Sequence, residues 1–166
     1  MKTLVVGLGN PILTDDGVGV KAAFEIEAQL SEEERQSIAI TEASVGGLRL
    51  MELMIGYERV ILIDAIQHTN GYKHPTGTIF TLSADDLRNI SPTQHSASAH
   101  DTSLITALEM AKRIGMPIPR EISIYAVEVE NILEFNDQPT PAVAAAIPKV
   151  TAMVLEELRL SPKSSG

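Results

Sequence analysis

The sequence predicts a doubly wound α/β domain, three αβα layers with helices on both faces of one sheet, and three observations predict it. Segments that read as strands alternate along the chain with segments that repeat apolar residues at helical spacing. Val60-Ile61-Leu62-Ile63 is apolar without alternation, which suits a strand buried on both faces of a parallel sheet. The length, 166 residues with 44% apolar content, suits one core and is cramped for two. No repeat or linker divides the chain, so residues 1–160 are expected to form a single domain and 161–166 a mobile tail.

The first strand is expected in Leu4-Val5-Val6-Gly7-Leu8, closed by Gly9-Asn10, with a helix over about residues 16–30 on which Val18, Ala22, Ile26 and Leu30 share a face beside Ala23. Ile38-Ala39-Ile40-Thr41 follows as a second strand, and Leu48, Leu50, Met51 and Met54 mark a short helix. Val60 to Asp64 is the expected central strand. Gly77-Thr78-Ile79-Phe80-Thr81-Leu82 alternates, as an edge strand does, and residues 83–99 read as loop with at most one helical turn. Leu104, Ala107, Leu108, Ala111 and Ile114 give another amphipathic helix, stopped by Gly115 and Pro117. Ile122-Ser123-Ile124-Tyr125-Ala126-Val127 is a further strand. Thr140-Pro141 supplies the N-cap and first-turn proline of a last helix, which Pro148 should kink or divide.

Composition excludes several function classes. The chain has no cysteine, which removes disulfides, thiolate metal sites and a cysteine nucleophile, and a cytoplasmic setting is the default expectation. No apolar run is long enough to span a bilayer, and the N-terminus is broken too early by Gly and Asn for a signal peptide. With 13 basic against 22 acidic residues and a formal charge of −9, nucleic acid is not an expected partner.

Ligands of open α/β sheets collect beyond the carboxyl ends of the strands, and three places satisfy that rule. In Gly9-Asn10-Pro11-Ile12-Leu13-Thr14-Asp15-Asp16-Gly17-Val18-Gly19 two carboxylates meet a helix start. Capping the free N–H groups there would account for one of them, and the flanking glycines favour a ligand role for one, without saying which. Asp64 ends the apolar run Val60-Ile61-Leu62-Ile63, where a buried carboxylate must be hydrogen-bonded, paired or metal-bound. His100 lies in a loop leading into a helix, with Asp101 as its expected N-cap; His68, His74 and His95 occupy other loop positions. Asp16, Asp64 and His100 would start or end elements on one sheet edge. Two carboxylates and an imidazole suit nickel or zinc better than magnesium.

The segment Gly7-Leu8-Gly9-Asn10-Pro11-Ile12-Leu13-Thr14-Asp15-Asp16-Gly17-Val18-Gly19-Val20 resembles the opening signature of the hydrogenase maturation proteases. Glu42-Ala43-Ser44-Val45-Gly46-Gly47-Leu48, Ile61-Leu62-Ile63-Asp64-Ala65, Ser98-Ala99-His100-Asp101-Thr102-Ser103-Leu104, Val127-Glu128-Val129-Glu130-Asn131-Ile132 and Thr140-Pro141-Ala142-Val143 continue the resemblance in order. It implies a phosphorylase/hydrolase-like fold with a mostly parallel five-stranded sheet, and nickel bound at Asp16, Asp64 and His100. Asp16 stands where many relatives carry Glu. Glu42 begins a loop that many relatives begin with Asp, and it could supply a catalytic acid.

The activity implied is an endopeptidase that removes a C-terminal peptide from the large-subunit precursor of a nickel-iron hydrogenase. Nickel would arrive with the precursor, and zinc or cadmium could substitute for it in crystals. The family is grouped with aspartic-type peptidases. A non-catalytic nickel-binding chaperone would keep the same ligands. A peptidyl-tRNA hydrolase shares Gly7-Leu8-Gly9-Asn10-Pro11 but needs a His-Asn pair that is missing here, and the Gly-x-Gly-x-x-Gly pattern of dinucleotide binding fails at Ile12.

Overall fold

The computed structural model describes residues 1–44, 47–67, 74–89 and 99–160, with 87–89 and 99–103 as backbone. Five strands, β1 (Thr3–Leu8), β2 (Ile38–Ala43), β3 (Arg59–Ile66), β4 (Ile79–Ser83) and β5 (Glu121–Glu128), form one sheet in the order β2-β1-β3-β5-β4. β1, β2, β3 and β5 are parallel, and β4 pairs antiparallel with β5 at the edge. The expected fold class, the central place of Val60 to Asp64 and the edge place of the alternating strand are all observed.

Among the described residues five α-helices cover the sheet: α1 (Val18–Gln29), α2 (Gly47–Met54), α3 (Ala84–Asn89), α4 (Ala99–Arg113) and α5 (Pro141–Arg159). The alternation of side chains along each strand builds two separate cores. Val5, Ile61, Ile63, Tyr125 and Val127 pack against Val18, Ala22 and Ile26 of α1 and against Val143, Val150 and Val154 of α5. On the opposite face Leu4, Val6, Val60, Leu62 and Ile124 meet Leu50 and Met54 of α2 and Leu104, Ala107 and Ala111 of α4. The sheet's middle strands are therefore dry on both sides, which explains why Val60 to Ile63 shows no alternation.

Several expectations need correction. α4 begins at Ala99, so His100 and Asp101 belong to its first turn, and Asp101 is not an N-cap. Residues 84–89 form a helix of six residues, more than the single turn expected. Ile114 lies past the end of α4 and is exposed, and Leu48 also faces solvent. Pro148 does not divide α5. It stands on the exposed side, where the Ala144 carbonyl it leaves without an N–H partner can meet water. His68, His95, Val45, Gly46 and the tail 161–166 lie outside the described residues.

Where the C-terminal end of α5 crosses the amino end of the sheet, apolar packing gives way to a polar cluster. Arg59, 8% exposed, donates to Thr3 Oγ1 at 3.2 Å and to the carbonyls of Glu157 and Leu158 at 3.3 and 3.4 Å, satisfying helix-end acceptors. The Glu157 carboxylate accepts from Ser123 Oγ and from the Tyr125 hydroxyl. Burial, followed by the neighbouring Glu157 carboxylate, pushes the Tyr125 phenol well above its ordinary value.

A group whose folded-state value is raised contributes stability that is fully present below the unfolded value, about 10 for tyrosine, and is lost as pH rises beyond it. In an alkaline titration followed by tyrosinate absorbance, one tyrosine equivalent should resist ionisation until the chain unfolds. Tyr125→Phe should abolish that late step, and its survival in the variant would assign it elsewhere.

Candidate functional site at the carboxyl edge of the sheet

β1 sends the chain through α1 to β2 on one side of itself, while β3, its other neighbour, leads to β4 and to α4 on the opposite face. The crevice between the carboxyl ends of β1 and β3 is therefore the topological switch point of the sheet, where ligands of this architecture bind. The pairing of β1 with β3 stops at Gly7 and Ile63, one residue before Asp64.

Glycines bring the parts of this crevice together. A Cβ on Gly19, in the first turn of α1, would stand 2.1 Å from the Ile63 carbonyl oxygen and 2.7 Å from that of Leu8. One on Gly7 would stand 2.4 Å from the Gly19 oxygen. Only two side chains without carbon allow the helix to start directly on the ends of β1 and β3. Gly9, with φ of +123°, turns the chain out of β1 so closely under the next turn that a Cβ would meet the Asp16 carbonyl oxygen at 1.9 Å.

The loop then closes into a 3-10 turn over Thr14–Gly17, which holds the adjacent aspartates in different surroundings. Asp15 is fully buried. Its carboxylate accepts from the backbone N–H groups of Glu130, Asn131 and Thr140 at 3.2, 3.1 and 2.7 Å and from the Thr140 hydroxyl at about 3 Å. Thr140 occupies the N-cap position of α5 as expected, yet its side chain makes no cap bond because the hydroxyl is committed to Asp15. Thr14, the one non-glycine with positive φ among the described residues (50°), is held by its own bonds to the Asn136 and Glu134 carbonyls at 2.9 and 2.7 Å. Asp15 thus fastens the first loop to the last.

Asp16 is half-buried, and only its Oδ2 is engaged by a described residue, the Asn10 N–H at 2.8 Å. Asp64, 7% exposed, accepts from the Ala65 N–H at 2.8 Å through Oδ1. By strand alternation Asp64 shares the face of Val60 and Leu62, the face that α4 covers and on whose first turn His100 stands. The side chain of His100 lies outside what is described. Among the described residues no three His, Cys, Asp or Glu groups could hold a metal ion.

Glu42 is exposed near the carboxyl end of β2, paired with Gly7. It shares the strand face of Ile38 and Ile40, which belongs to α1 and α5, so alternation directs it to the other side of the sheet from Asp64. A second carboxylate on the Asp64 side escaped the sequence reading. Glu128, 5% exposed, pairs with Ile66 on the strand next to Asp64. Its signal was available, a single acid ending the apolar strand from Ile122 to Val127, the same pattern that singles out Asp64.

Residues 20–157 match the family model described as hydrogenase maturation protease. The chain belongs to the hydrogenase maturation protease family. It is 27% identical over 161 residues to the hydrogenase 2 maturation protease of Escherichia coli strain K12, covering 97% of this chain and 93% of that one. It is 23% identical over 160 residues to a putative hydrogenase maturation protease of Methanocaldococcus jannaschii, covering 94% and 96%. The solved structure of the E. coli hydrogenase maturating endopeptidase HybD superposes with a TM-score of 0.73 at 28% identity, over 96% of this chain and 93% of that chain. A maturation protease from Thermococcus kodakarensis, at 22% identity and a TM-score of 0.69 over 96% and 100%, shares the fold.

This maturation protease should separate its two aspartates cleanly in urea denaturation. Asp15→Ala leaves three part-buried N–H groups and the Thr140 hydroxyl without their acceptor and should cost about 3 kcal/mol, whereas Asp16→Ala should cost about 1 kcal/mol. Gly19→Ala, whose Cβ meets backbone that cannot rotate away, should cost about 3 kcal/mol. Equal losses at Asp15 and Asp16 would contradict the assigned division between them.

Proposed function

We propose that this chain is the endopeptidase that removes the C-terminal extension from the nickel-loaded large-subunit precursor of a nickel-iron hydrogenase. The observation that carries the reading is the meeting of the Asp16 turn with the strand end that bears Asp64, while the adjacent Asp15 is consumed in structure. The cytoplasm is the proposed compartment, since a chain without cysteine needs no oxidising one. Among the described residues no helix is long and apolar enough to cross a membrane.

In this reading Asp16, Asp64 and His100 hold the nickel that the precursor carries, so the metal belongs to the substrate. Two anionic oxygens and an imidazole nitrogen suit a late divalent ion. The donor set agrees with the local bonding, since Asp16 and Asp64 each accept a backbone N–H, which fixes the carboxylate plane. Anchoring the precursor there lays the chain that follows its metal centre along the carboxyl edge of the sheet. Holding the scissile bond against a water in a fixed geometry supplies much of the rate by orientation alone.

The two aspartates act here as ligands rather than as a proton-sharing aspartic dyad, which needs two carboxyl groups competing for one proton. Glu42, directed to the other face, is assigned no place in the ligand set. A general-acid role for Glu42 requires the peptide to cross the edge of the sheet at β2.

The test is to incubate the purified chain with its hydrogenase large-subunit precursor, loaded with nickel or free of it, and to follow intact mass. Loss of the C-terminal peptide is expected from the loaded form alone. Asp16→Ala, Asp64→Ala and His100→Ala should each lower kcat/KM by about 100-fold or more, with folding retained by circular dichroism. Cleavage that is indifferent to nickel, or that survives all three substitutions, would refute the assignment.

A further inference from the structure

Large apolar side chains are seldom left in water on loops that the fold itself holds still, and one group of them borders the site. Ile12 is 52% exposed, Leu133 84% and Phe135 83%. They sit on two segments, residues 10–14 and 130–137, that are stitched together backbone to backbone. The Asn136 N–H donates to the Ile12 carbonyl and the Thr14 N–H to the Asn136 carbonyl, both at 2.9 Å, and Leu13 forms a bridge with Asn136. Within the second segment the Asn131 side chain accepts from the Leu133 and Glu134 N–H groups at 3.3 Å, and Asn136 Oδ1 accepts from Gln138 at 2.9 Å. Beneath both segments lies the buried Asp15 carboxylate. The backbone is thus satisfied internally while the apolar side chains stand outside.

The geometry points to a preformed docking patch, Ile12, Leu133 and Phe135, that grips the hydrogenase precursor beside its cleavage site; this inference rests on the function proposed above. Its place argues for that occupant. The Asp16 N–H is bonded to the Leu13 carbonyl at 3.1 Å, so Ile12, next to Leu13, stands about one turn along the chain from the proposed nickel ligand. A protein anchored through its metal at Asp16 must lie over it.

Charge selects among partners. The exposed acids Glu130, Glu134 and Asp137 are interleaved with Leu133 and Phe135, on a chain of net charge −9. A second copy of this chain would bring like charges together over the patch, and that juxtaposition is unfavourable. The complementary surface is a segment of the precursor with apolar side chains flanked by Lys or Arg. Because the loops are held before binding, little ordering entropy opposes the contact, and a few apolar anchors suffice to set affinity.

The test compares the wild-type chain with the double variant Leu133→Ser, Phe135→Ser in cleavage of the nickel-loaded precursor. KM should rise about 10-fold or more with kcat at saturation unchanged. The melting temperature should stay at the wild-type value, because both side chains are in water. Asp137→Lys should raise KM several-fold through repulsion of the basic segment, and an unchanged or lower KM there would overturn the basic partner. A double variant with wild-type KM would overturn the docking patch alone. A wild-type chain that neither binds nor cleaves the precursor would overturn the functional reading, and the patch with it.

Discussion

The contact on which the site depends is a meeting of two backbones, the first turn of α1 lying on the ends of β1 and β3 where Gly7 and Gly19 face each other. Any Cβ at Gly19 would stand 2.1 Å from the Ile63 oxygen, so the approach exists only while both positions carry hydrogen. Helix and sheet normally keep a side-chain layer between them. Removing that layer here lowers the helix start into the switch point and sets the Asp16 turn against the strand that carries Asp64. The same residues that would read as flexible in isolation therefore make the most constrained junction of the fold. Gly9 extends the constraint, because its left-handed turn tucks under the carbonyl of Asp16 itself.

Asp15 and Asp16 show how one 3-10 turn divides work between neighbours. Successive residues on so tight a turn point in different directions, one into the protein and one toward the crevice. The inward carboxylate gathers three N–H groups and a hydroxyl from residues more than a hundred positions away, which closes the last loop over the first. Among the described residues the outward one engages only the Asn10 N–H, through a single oxygen. A long-range structural hub placed beside a candidate ligand holds that ligand's backbone in position, so the stability of the turn and the geometry of the site are one property.

The fold was legible because its signals are local. Apolar runs and helical spacing reported β1, β3, β5 and α1 to within a few residues, Thr140-Pro141 marked the start of α5, and the alternating strand proved to be the antiparallel edge. Errors fell where local pattern and tertiary context disagree. Asp101 has the chemistry of an N-cap, yet the helix starts two residues earlier, and Ile114 keeps the apolar spacing of a helix that has already ended. For the site, sequence could bring two aspartates to a helix start but could not choose between them without a family resemblance, because the choice is made by Thr140, Glu130 and Asn131 far along the chain. Glu128 ends an apolar strand as Asp64 does and is buried beside it, yet the sequence reading singled out only Asp64.

The proposed reaction draws on the same economy of charge. A dyad of carboxyl groups works by sharing a proton, and each partner then needs an environment that tolerates its neutral form. Asp16 and Asp64 instead each accept a backbone N–H at 2.8 Å, which fixes the plane of each carboxylate. In the proposed reading a precursor that brings its own nickel would be held by Asp16, Asp64 and His100 together, and one without metal would lack that anchor. Substrate selection by metal content would then follow from the proposed ligand set itself, with no separate sensing element required.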